Sequence, residues 1–499
     1  MASSIAYNRF GLGARPGDRS SGEPKAWLLD QLGRYDPKPA GIAATKGSPE
    51  IATALIDYRD DRRVLRRQMA ASPPVATPDP TMSGAGGAGA TPPAMGGAMA
   101  AAPPPVDPQK RALMDARQIA ARAIRLDYGR AVAARTDAAL VSDAPFVERL
   151  VQFWANHFAV STDKIEIVGL AGPMEFEAIR PHVLGRFSDM LNAVERHPAM
   201  LLYLDQAVSV GPGSAVGLRV AARGQRKVGL NENLAREILE LHTLGVRTGY
   251  EQGDVTEFAR AMTGWTATGF GRGPKMGGVP GAFAFMPAIH EPGDRIIMGK
   301  TYPAAGEAQA QAVLDDLAVH PATATHIATK LARHFAGDVP PPAMITRLKT
   351  AFLKSGGDLP TVYKAIIASP EAWVATPVKF RTPWEWTIAV HRALGTKTLQ
   401  PGAMVGLMNQ LGQPVWKPGQ PVGYDDLAAT WAGPDAIMRR VEAAERFATR
   451  AAANTDARAL APVLFPDALS AATAQALTRA ESPGQALALL LVSPEMMRR

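Results

Sequence analysis

Apolar residues recur every three to four positions through most of this chain, a spacing that is typical of amphipathic helices. Strand-like patterns are confined to residues 284–290 and 295–298, on either side of a turn that contains Pro and Gly. No repeat of about 20 to 50 residues is visible. The sequence therefore predicts an all-α fold, a multi-helix array with one short β-hairpin near 283–298.

One low-complexity stretch interrupts the helical pattern. Residues 72–108 consist mainly of Pro, Gly and Ala, carry almost no charge and have no periodic apolar face. Such a segment cannot bury enough apolar surface to fold, so it is predicted to be a disordered insertion. The chain is accordingly divided into an N-terminal helical segment (1–71), the insertion (72–108), a main helical domain with the candidate site (109–395) and a C-terminal helical segment packed on it (396–499).

Composition excludes several classes of site. The 499-residue chain has no cysteine, which removes disulfides, thiolate metal sites and cysteine nucleophiles. Its formal net charge is +8, but Lys and Arg are spread through the helices, so solvated helix faces are favoured over a nucleic-acid partner. No apolar run of about 18 residues predicts a membrane span. The N-terminus shows no signal peptide, which favours a cytoplasmic protein and leaves export with a partner open.

Residues 231–265 hold the densest group of chemically active side chains and are predicted to form two helices joined by a turn. Asn231 is the expected cap of the first helix, and Gly245 followed by Val246 is the expected stop. The second helix is expected to begin at a capping box, Asp254-x-x-Glu257. Three polar side chains share one strip of the first helix: Asn233, Glu237 and Glu240.

Two carboxylates on one strip have two explanations. Glu237 and Glu240 repel each other when both are ionised, unless a cation or a shared proton lies between them. Arg236 lies four residues from both Glu232 and Glu240, so a plain salt-bridge ladder competes with a site. Structural networks also gather acids, so the strip by itself leaves both explanations open.

Other polar residues extend the candidate site. The helix that ends in FWANHF places His157 on its buried side with Asn156 beside it, although a single buried histidine is more often a hydrogen-bonded core residue than a ligand. His290 is predicted at the hairpin tip, where it is placed to cover a site. A basic group around Pro181 suits an anionic substrate or nearby acids: Arg180, His182 and Arg186.

Two further features are given structural interpretations. His326, Lys330 and His334 share one side of a helix over 321–336, and this side is interpreted as a basic exposed face. Residues 411–426 are predicted to form an ordered Pro/Gly-rich loop that carries Trp416 and Tyr424.

A series of short motifs resembles the DUF1800 family of bacterial proteins of unknown function, and it covers the chain apart from 72–108. The motifs are NRFGLGARPGD, FWANHFAVS, IRPHVLGRF, HPAMLLYLD, NENLAREILELHTLGV, ARAMTGW, HEPGDRIIMGK, ATHIATKLARHF, KFRTPWEW, LGQPVWKP and SPEMMRR. The resemblance implies a large helical protein with no established activity. Genes of this family often lie beside genes for exported proteins that resemble alkaline phosphatases and sulfatases, which implies such a protein as a partner or as a member of a shared pathway.

The resemblance also carries over to single residues. The family's central motif matches Asn231, Glu232, Asn233, Glu237, Glu240, Thr243 and Gly245, and its FW-x-NHF motif matches Trp154, Asn156 and His157. Its hairpin motif matches His290, Glu291 and Gly293, with Glu where Asp is usual. Glu251 replaces the usual Thr before the second helix, which is expected to shift the cap to Asp254.

Two functions follow from these residues. In the first, Glu237, Glu240 and His157 are the catalytic groups of a hydrolase-type enzyme, as an acid and base pair or as ligands of a divalent cation. The residues expected to bind its polar or anionic substrate are Asn156, Arg180, His182, Arg186, Asn233 and His290. In the second, the protein is a non-catalytic scaffold or accessory protein for the exported partner, and the acids form a structural network.

Overall fold

A computed structural model of the protein describes residues 1–18, 22–71, 108–224, 229–271, 277–377 and 379–499. The predicted disordered insertion at 72–108 lies outside these residues, except for Pro108, where a helix begins. The chain divides into two compact units. The larger unit comprises Met1–Thr53 and Ile124–Arg499, and the smaller unit comprises Ala54–Ala123. The predicted division at 395 and 396 stays a prediction.

Helices dominate the described residues and confirm the predicted all-α fold. The longer α-helices are Pro24–Arg34, Ser48–Ala71, Pro108–Val141, Pro145–His157, Phe187–Glu195, Pro198–Tyr203, Ala215–Ala222, Gln252–Met262, Glu307–Ala318, Pro321–Ala336, Pro342–Ser355, Leu359–Ala368, Pro383–Ala393, Pro401–Gln410, Pro434–Ala451, Ala457–Leu464, Ala471–Arg479 and Pro483–Leu491. Proline opens many of them, because the first helical position needs no N–H donor and the ring holds a helical φ. The expected starts at Pro145 and Pro321 are confirmed.

Short helices connect the longer ones. The short α-helices are Ala2–Ile5, Ala40–Ala43, Ile165–Val168, Ala171–Pro173, Asn233–Glu237, Ala428–Trp431 and Pro494–Met497. Segments with π-helical hydrogen bonding are Ala6–Phe10, Met174–Ile179 and Ile238–His242. The 3₁₀ turns are Arg180–His182, Gln206–Val208, Pro287–Ile289 and Pro370–Trp373. Within the described part of the chain, no helix combines the length and apolar character needed to cross a membrane.

Two small antiparallel sheets take the place of the single predicted hairpin. Strand Phe283–Phe285 pairs with Trp265–Ala267, and strand Arg295–Ile297 pairs with Lys300–Tyr302. The strands themselves are confirmed, but the prediction that they pair with each other is wrong. The second pair closes through Met298 and Gly299, which both have positive φ, as in the two-residue turn that best fits the twist of a hairpin.

Aromatic packing in the larger unit brings two helices together at the candidate site. The rings of Phe10, Phe146 and Phe335 lie 5.5 to 5.9 Å apart, centroid to centroid. Beside them, the buried indole of Trp154 donates a hydrogen bond of 2.7 Å to Tyr363 Oη. These contacts hold the helix Pro145–His157 against the helix Pro321–Ala336, which is why a histidine of the first meets a lysine of the second.

Candidate functional site

The helix of the NEN motif changes its hydrogen-bond pattern halfway along. It begins as an α-helix at Asn233–Glu237 and continues as a π-helix at Ile238–His242. The backbone N–H and the hydroxyl of Thr243 both donate to the carbonyl of Ile238, at 2.9 and 2.6 Å. A π segment widens the helix and is frequently found at functional sites.

Two histidines from other helices donate hydrogen bonds to carbonyl groups at the end of this π-helix. His157 Nε2 donates to the carbonyl of His242 at 3.1 Å, and His326 Nε2 donates to the carbonyl of Leu241 at 3.1 Å. The last carbonyls of a helix lack partners within it, so both histidines satisfy groups that would otherwise be unpaired. Because Nε2 carries the proton in each case, Nδ1 of each ring is an acceptor.

The Nδ1 atom of His157 accepts a hydrogen bond from a lysine. Lys330 Nζ donates to His157 Nδ1 at 2.9 Å. Burial, with Lys330 and neighbouring histidines acting in the same direction, lowers the pKa of His157 well below its usual value, so its imidazole is neutral. Burial lowers the pKa of Lys330 to about 8, with Arg333 acting in the same direction and Asp426 against it. The interpretation of this helix side as a basic exposed face is therefore wrong.

A cavity of about 410 Å³, here called the Lys330 cavity, opens beside this pair. Its size falls within the usual range for small-molecule sites. The apolar part of its wall includes Phe153, Val160, Trp384, Val415, Trp416 and Val422. The polar part includes Arg135, Asn156, His157, Lys330, Arg333, His334, Glu385 and Asp426. Of the predicted site residues, His157 and Asn156 line this cavity.

The Pro/Gly-rich loop forms one side of the cavity, and Asn156 holds it in place. The Asn156 side chain donates to the Tyr424 carbonyl at 2.8 Å and accepts from the Tyr424 backbone N–H at 2.7 Å. Tyr424 Oη in turn donates to the Pro414 carbonyl at 2.5 Å. Both ends of the Asn156 amide are used in this contact, so its geometry favours a positioning role over direct contact with a substrate.

Gly423 is expected to be essential for this wall. Its φ is +84°, and a Cβ at this position would lie 2.3 Å from the Asn156 carbonyl oxygen. Gly423→Ala is therefore expected to cost roughly 2–4 kcal/mol of unfolding free energy, because strain in the left-handed region and a clash with rigid backbone add up. Chemical denaturation measures the loss. Gly419→Ala in the same loop is the control, since a Cβ there meets nothing within 4 Å. Equal stability of the two variants would contradict the wall geometry.

The wall of the cavity also carries a second histidine with a carboxylate, His334 and Asp426. His334 Nδ1 donates to Asp426 Oδ2 at 3.2 Å, and the Lys379 ammonium lies 3.3 Å from Asp426 Oδ1. Burial opposes ionisation of Asp426, but His334 and Lys379 outweigh it and lower the pKa of Asp426 to about 2. Burial lowers the pKa of His334 to about 4. Its Nε2 is buried without a hydrogen-bond partner among the described residues.

The cavity has more positive charge than its acids neutralise. Glu385 is neutralised by Arg149 and by Arg499, whose Nη2 lies 3.0 Å from Glu385 Oε1. Arg135 is paired with Glu175 at 2.8 Å and lies over the Trp384 ring, 4.2 Å from its centroid. Neither Lys330 nor Arg333 forms an ion pair within the residues that the structure describes, and an anionic ligand would complement both.

Glu237 and Glu240 do not line the Lys330 cavity. Burial raises the pKa of Glu237, and the neighbouring Glu240 carboxylate adds to this rise, while His242 and Arg236 oppose it. Glu240 lies 3.4 Å from Arg236, which also lies 3.3 Å from Glu232. These contacts are the salt-bridge ladder that competed with a site, and their partly exposed position gives them a small energetic value.

The predicted metal ligands are not brought together. No group of three or more His, Asp or Glu side chains in the described ranges has the geometry to hold a metal ion. Glu237, Glu240 and His157 therefore do not form a shared ligand set. His242, which lies between the two regions, donates from Nδ1 to the buried carboxylate of Glu195 at 2.8 Å instead.

The basic group around Pro181 is spread over different environments. Arg180 is buried and forms a two-pronged ion pair with Glu148, at 2.9 and 2.6 Å. Arg186 is exposed and donates to the carbonyl of Gly356 at 3.2 Å, and His182 is partly buried. None of the three lines the Lys330 cavity. The expected clamp for an anionic substrate is therefore not assembled from these side chains.

The remaining predicted ligands lie elsewhere on the larger unit. Asn233 is exposed at the start of its helix, and its backbone N–H donates to Asn231 Oδ1 at 2.9 Å. His290 is partly buried, and its Nδ1 donates to the Thr263 carbonyl at 2.7 Å. Burial lowers the pKa of His290, and this hydrogen bond acts against it. The His290 side chain thus stabilises local backbone, and Asn233 and His290 both lie outside the lining of the Lys330 cavity.

Two details of the NEN region correct the sequence interpretation. The second helix begins at Gln252, and the Glu251 backbone N–H donates to the Asp254 carboxylate at 2.7 Å. Glu251 is thus the cap, and the predicted box of Asp254 with Glu257 is wrong. Gly245 has the expected positive φ of 93°, but Val246 is 57% exposed and does not pack back on the helix.

Among the cavity residues that the sequence did not predict as functional are Lys330, Arg333, His334 and Asp426. The spacing of Lys330 and His334 was visible, but helical periodicity does not tell a solvated polar face from one that faces a cavity. The sequence did contain one usable indication of this site. It is the loop over residues 411–426, where Trp416 and Tyr424 occur among Pro and Gly. Aromatic residues in such a loop need a surface to pack on, and the ring of Trp416 packs against Tyr128 and Phe176 at the wall of the cavity.

The motifs that build the Lys330 cavity are far apart in the chain, in FWANHF, ATHIATKLARHF, KFRTPWEW and LGQPVWKP, so a genuine family relationship must span most of its length. No curated protein and no solved structure matches the chain. The family model described as "Protein of unknown function (DUF1800)" matches residues 5–498 and so includes every one of these motifs, and the protein belongs to this family.

Proposed function

We propose that this protein is an enzyme that binds a small anionic molecule in the Lys330 cavity and transfers a proton with the Lys330 and His157 pair. The observation that carries the proposal is the contact of the Lys330 ammonium with a neutral imidazole and with no carboxylate in the described residues. A lysine whose pKa is about 8 changes its charge near physiological pH, which suits an acid or base catalyst.

The wall of the cavity supports an anionic ligand with an apolar body. Lys330 and Arg333 lie one helical turn apart and carry positive charge without an acidic partner in the described chain. Trp384 and Trp416 supply flat apolar surface beside them. Hydrolysis of an ester or amide of such an anion is the reaction class that we favour. It keeps the proposed hydrolase-type chemistry but assigns it to Lys330 and His157, with Glu237 and Glu240 outside the cavity.

Anion binding and the titration of Lys330 test this proposal. Thermal stability is measured with inorganic phosphate, sulfate, citrate and short carboxylates, against sodium chloride at equal ionic strength. At about 100 times its dissociation constant, a bound anion is expected to add ~2.7 kcal/mol to the stability of the wild type. Lys330→Met is expected to lose that gain, and Lys354→Met, at an exposed position, is expected to keep it.

The same preparations give an independent readout. Carbon-13 methylation of the lysines and NMR titration are expected to show one resonance with a pKa of about 8 that disappears in Lys330→Met. The proposal fails if no anion stabilises the wild type more than the Lys330→Met variant, or if the Lys330 resonance titrates near the ordinary lysine value of 10.5.

A scaffold role is the second candidate function. The observation that favours it is that a residue predicted to bind substrate is paired inside the fold. Arg180 and Glu148 neutralise each other inside the larger unit. In this alternative the protein supports an exported phosphatase-like or sulfatase-like partner and turns over no substrate. A wild type that binds no anion, together with co-purification of that partner, would favour the scaffold.

A further inference from the structure

Two lysines of the larger unit, the buried Lys379 and the partly buried Lys330, are held in opposite ways. Lys379 is 1% exposed and clamped by carboxylates, with Nζ 2.7 Å from Asp338 and 3.3 Å from Asp426. Such a lysine is held by two ion pairs and serves the fold. Lys330 has no carboxylate within ion-pair distance in the described residues, and its one hydrogen-bond partner is a neutral ring nitrogen. Its side chain is therefore free to lose a proton without breaking an ion pair.

We infer that Lys330 is a nucleophile that forms an imine with a small carbonyl compound carrying a carboxylate, such as a 2-oxo acid. The inference rests on the proposed anion site, and it takes a keto acid that reacts with the lysine in place of the ester or amide hydrolysis favoured above. A lysine that is desolvated beside another cation is the arrangement that activates an amine for attack on a carbonyl carbon.

Arg333 supplies the second contact that this substrate class needs. It lies three residues after Lys330 on the same helix, about 4.5 Å further along the axis. Side chains three residues apart share a helix face, and both of these side chains line the cavity. In a 2-oxo acid the carboxylate is bonded directly to the carbonyl carbon. One such molecule places its carboxylate on the guanidinium of Arg333 and its carbonyl carbon beside Lys330 Nζ.

His157 orients the amine for this step. Its Nε2 proton is committed to the His242 carbonyl, so its Nδ1 lone pair accepts one N–H of Lys330. That hydrogen bond turns the amine lone pair towards the remaining open side, which is the cavity. His157 is thus a positioning residue, and the π-helix that presents the His242 carbonyl fixes its tautomer.

The reaction is balanced without an oxidant or a reductant. The lone pair of the neutral amine forms a C–N bond to the carbonyl carbon, and the carbonyl oxygen becomes a hydroxyl group. This hydroxyl then leaves as water, which carries away both hydrogens of the amine, and a C=N bond remains. Protonation of the imine nitrogen makes it an electron sink for bonds to the neighbouring carbons.

Reductive trapping tests the inference. The full-length protein is incubated at pH 7 with pyruvate and sodium cyanoborohydride, and its peptides are analysed by mass spectrometry. At this pH the neutral fraction of an amine with a pKa of about 8 is roughly 300 times that of an ordinary lysine with a pKa of 10.5. Lower basicity reduces intrinsic reactivity, so we expect labelling of Lys330 to exceed that of any exposed lysine by at least about tenfold.

Variants and a neutral probe separate the parts of the inference. Lys330→Arg is expected to abolish the selective label, and Lys354→Arg to leave it unchanged. Arg333→Gln is expected to reduce labelling by pyruvate about tenfold but not labelling by propanal, which has no carboxylate. His157→Gln is expected to reduce labelling and to raise the pH at which it is half-maximal. A purely structural His157 would not move that pH.

The outcomes are distinguishable from those of the proposed function. Uniform labelling of surface lysines, or equal labelling by pyruvate and propanal that Arg333→Gln does not change, overturns the inference. If anions stabilise the protein through Lys330 while no imine is trapped, the anion site stands and only the nucleophilic role is rejected. If no anion binds but propanal labels Lys330 selectively, the anionic substrate class is rejected.

Discussion

Lowering the pH from 7 to 5 is expected to reduce the free energy of unfolding of the larger unit by roughly 4–6 kcal/mol. A loss of this size comes from three histidines that the fold holds in their neutral form, and His157, whose pKa also lies well below its usual value, adds to it in the same direction. Burial is the main cause that lowers the pKa of His326, His334 and His391 to about 4, whereas an unfolded histidine has a pKa of 6.5. Between these values the unfolded chain binds protons that the folded chain does not.

Because the unfolded chain binds more protons than the folded chain, acid lowers the free energy of unfolding. Stability is complete above about pH 6.5 and falls as the pH drops towards 4, at roughly 2 kcal/mol per histidine by pH 5. Lys330 adds no slope in this range, because a pKa of about 8 leaves it protonated in both states. The low pKa of Asp426, about 2, adds a further loss only below about pH 4.

Urea denaturation at a series of pH values measures this loss. All eight tryptophans belong to the larger unit, so their fluorescence reports its unfolding. His391→Gln removes one of the three titrating groups at a position outside the Lys330 cavity. The variant is expected to reduce the slope of unfolding free energy against pH by about one proton. An unchanged slope in His391→Gln, or a stability that is flat from pH 7 to 5, would contradict the burial of neutral imidazoles.

Arg180→Gln is expected to lower the free energy of unfolding by roughly 3–5 kcal/mol. The side chains of Arg180 and Glu148 are 0% and 4% exposed and are joined by two hydrogen bonds, and Arg180 Nε donates to the Pro37 carbonyl at 2.9 Å. Removing the guanidinium leaves the Glu148 carboxylate buried without its counter-ion. An uncompensated buried charge is among the most destabilising changes that a single substitution produces.

The measurement also decides whether Arg180 binds a substrate. Arg186→Gln, in the same motif but exposed, is the matched control and is expected to cost less than about 1 kcal/mol. The double variant Glu148→Gln, Arg180→Gln is expected to lose less than the sum of the single variants, because neither charge is left unpaired. Arg180→Gln is expected to retain anion binding in the Lys330 cavity. A stable Arg180→Gln variant that no longer binds anions would reverse the assignment and restore Arg180 as a ligand.

The sequence predicted much of the local structure, because local structure depends on neighbours in the chain. Apolar spacing predicted the helices, and proline predicted several of their first residues. The alternation over 284–298 predicted strands but not their partners, since pairing depends on which edge is free nearby. The cap of the second helix was predicted at Asp254 and lies at Glu251. Asp254 occupies the third helical position, and a carboxylate at that position resembles a cap in the sequence.

The candidate site followed from the sequence only in part. His157 was expected to be buried and to meet a polar group from another helix, and it does so at Lys330. The partner expected for it, the pair of Glu237 and Glu240, lies outside the cavity. Both glutamates remain candidates for catalysis by prediction alone. The change to a π-helix at Ile238 contributes to this difference, because an extra residue in the turn rotates all later side chains away from the strip that regular helical geometry predicts.

By itself the sequence determined the helical class, the places where many helices begin, and the absence of any thiol chemistry. Only the tertiary structure decided which charged side chains lack a counter-ion and face a cavity. Periodicity reports which side of a helix is apolar, but the pKa and accessibility of Lys330 depend on His157, which is 173 residues away, and on a loop that Asn156 holds across the helix. Contacts of that kind are set by packing between distant segments, and no local pattern encodes them.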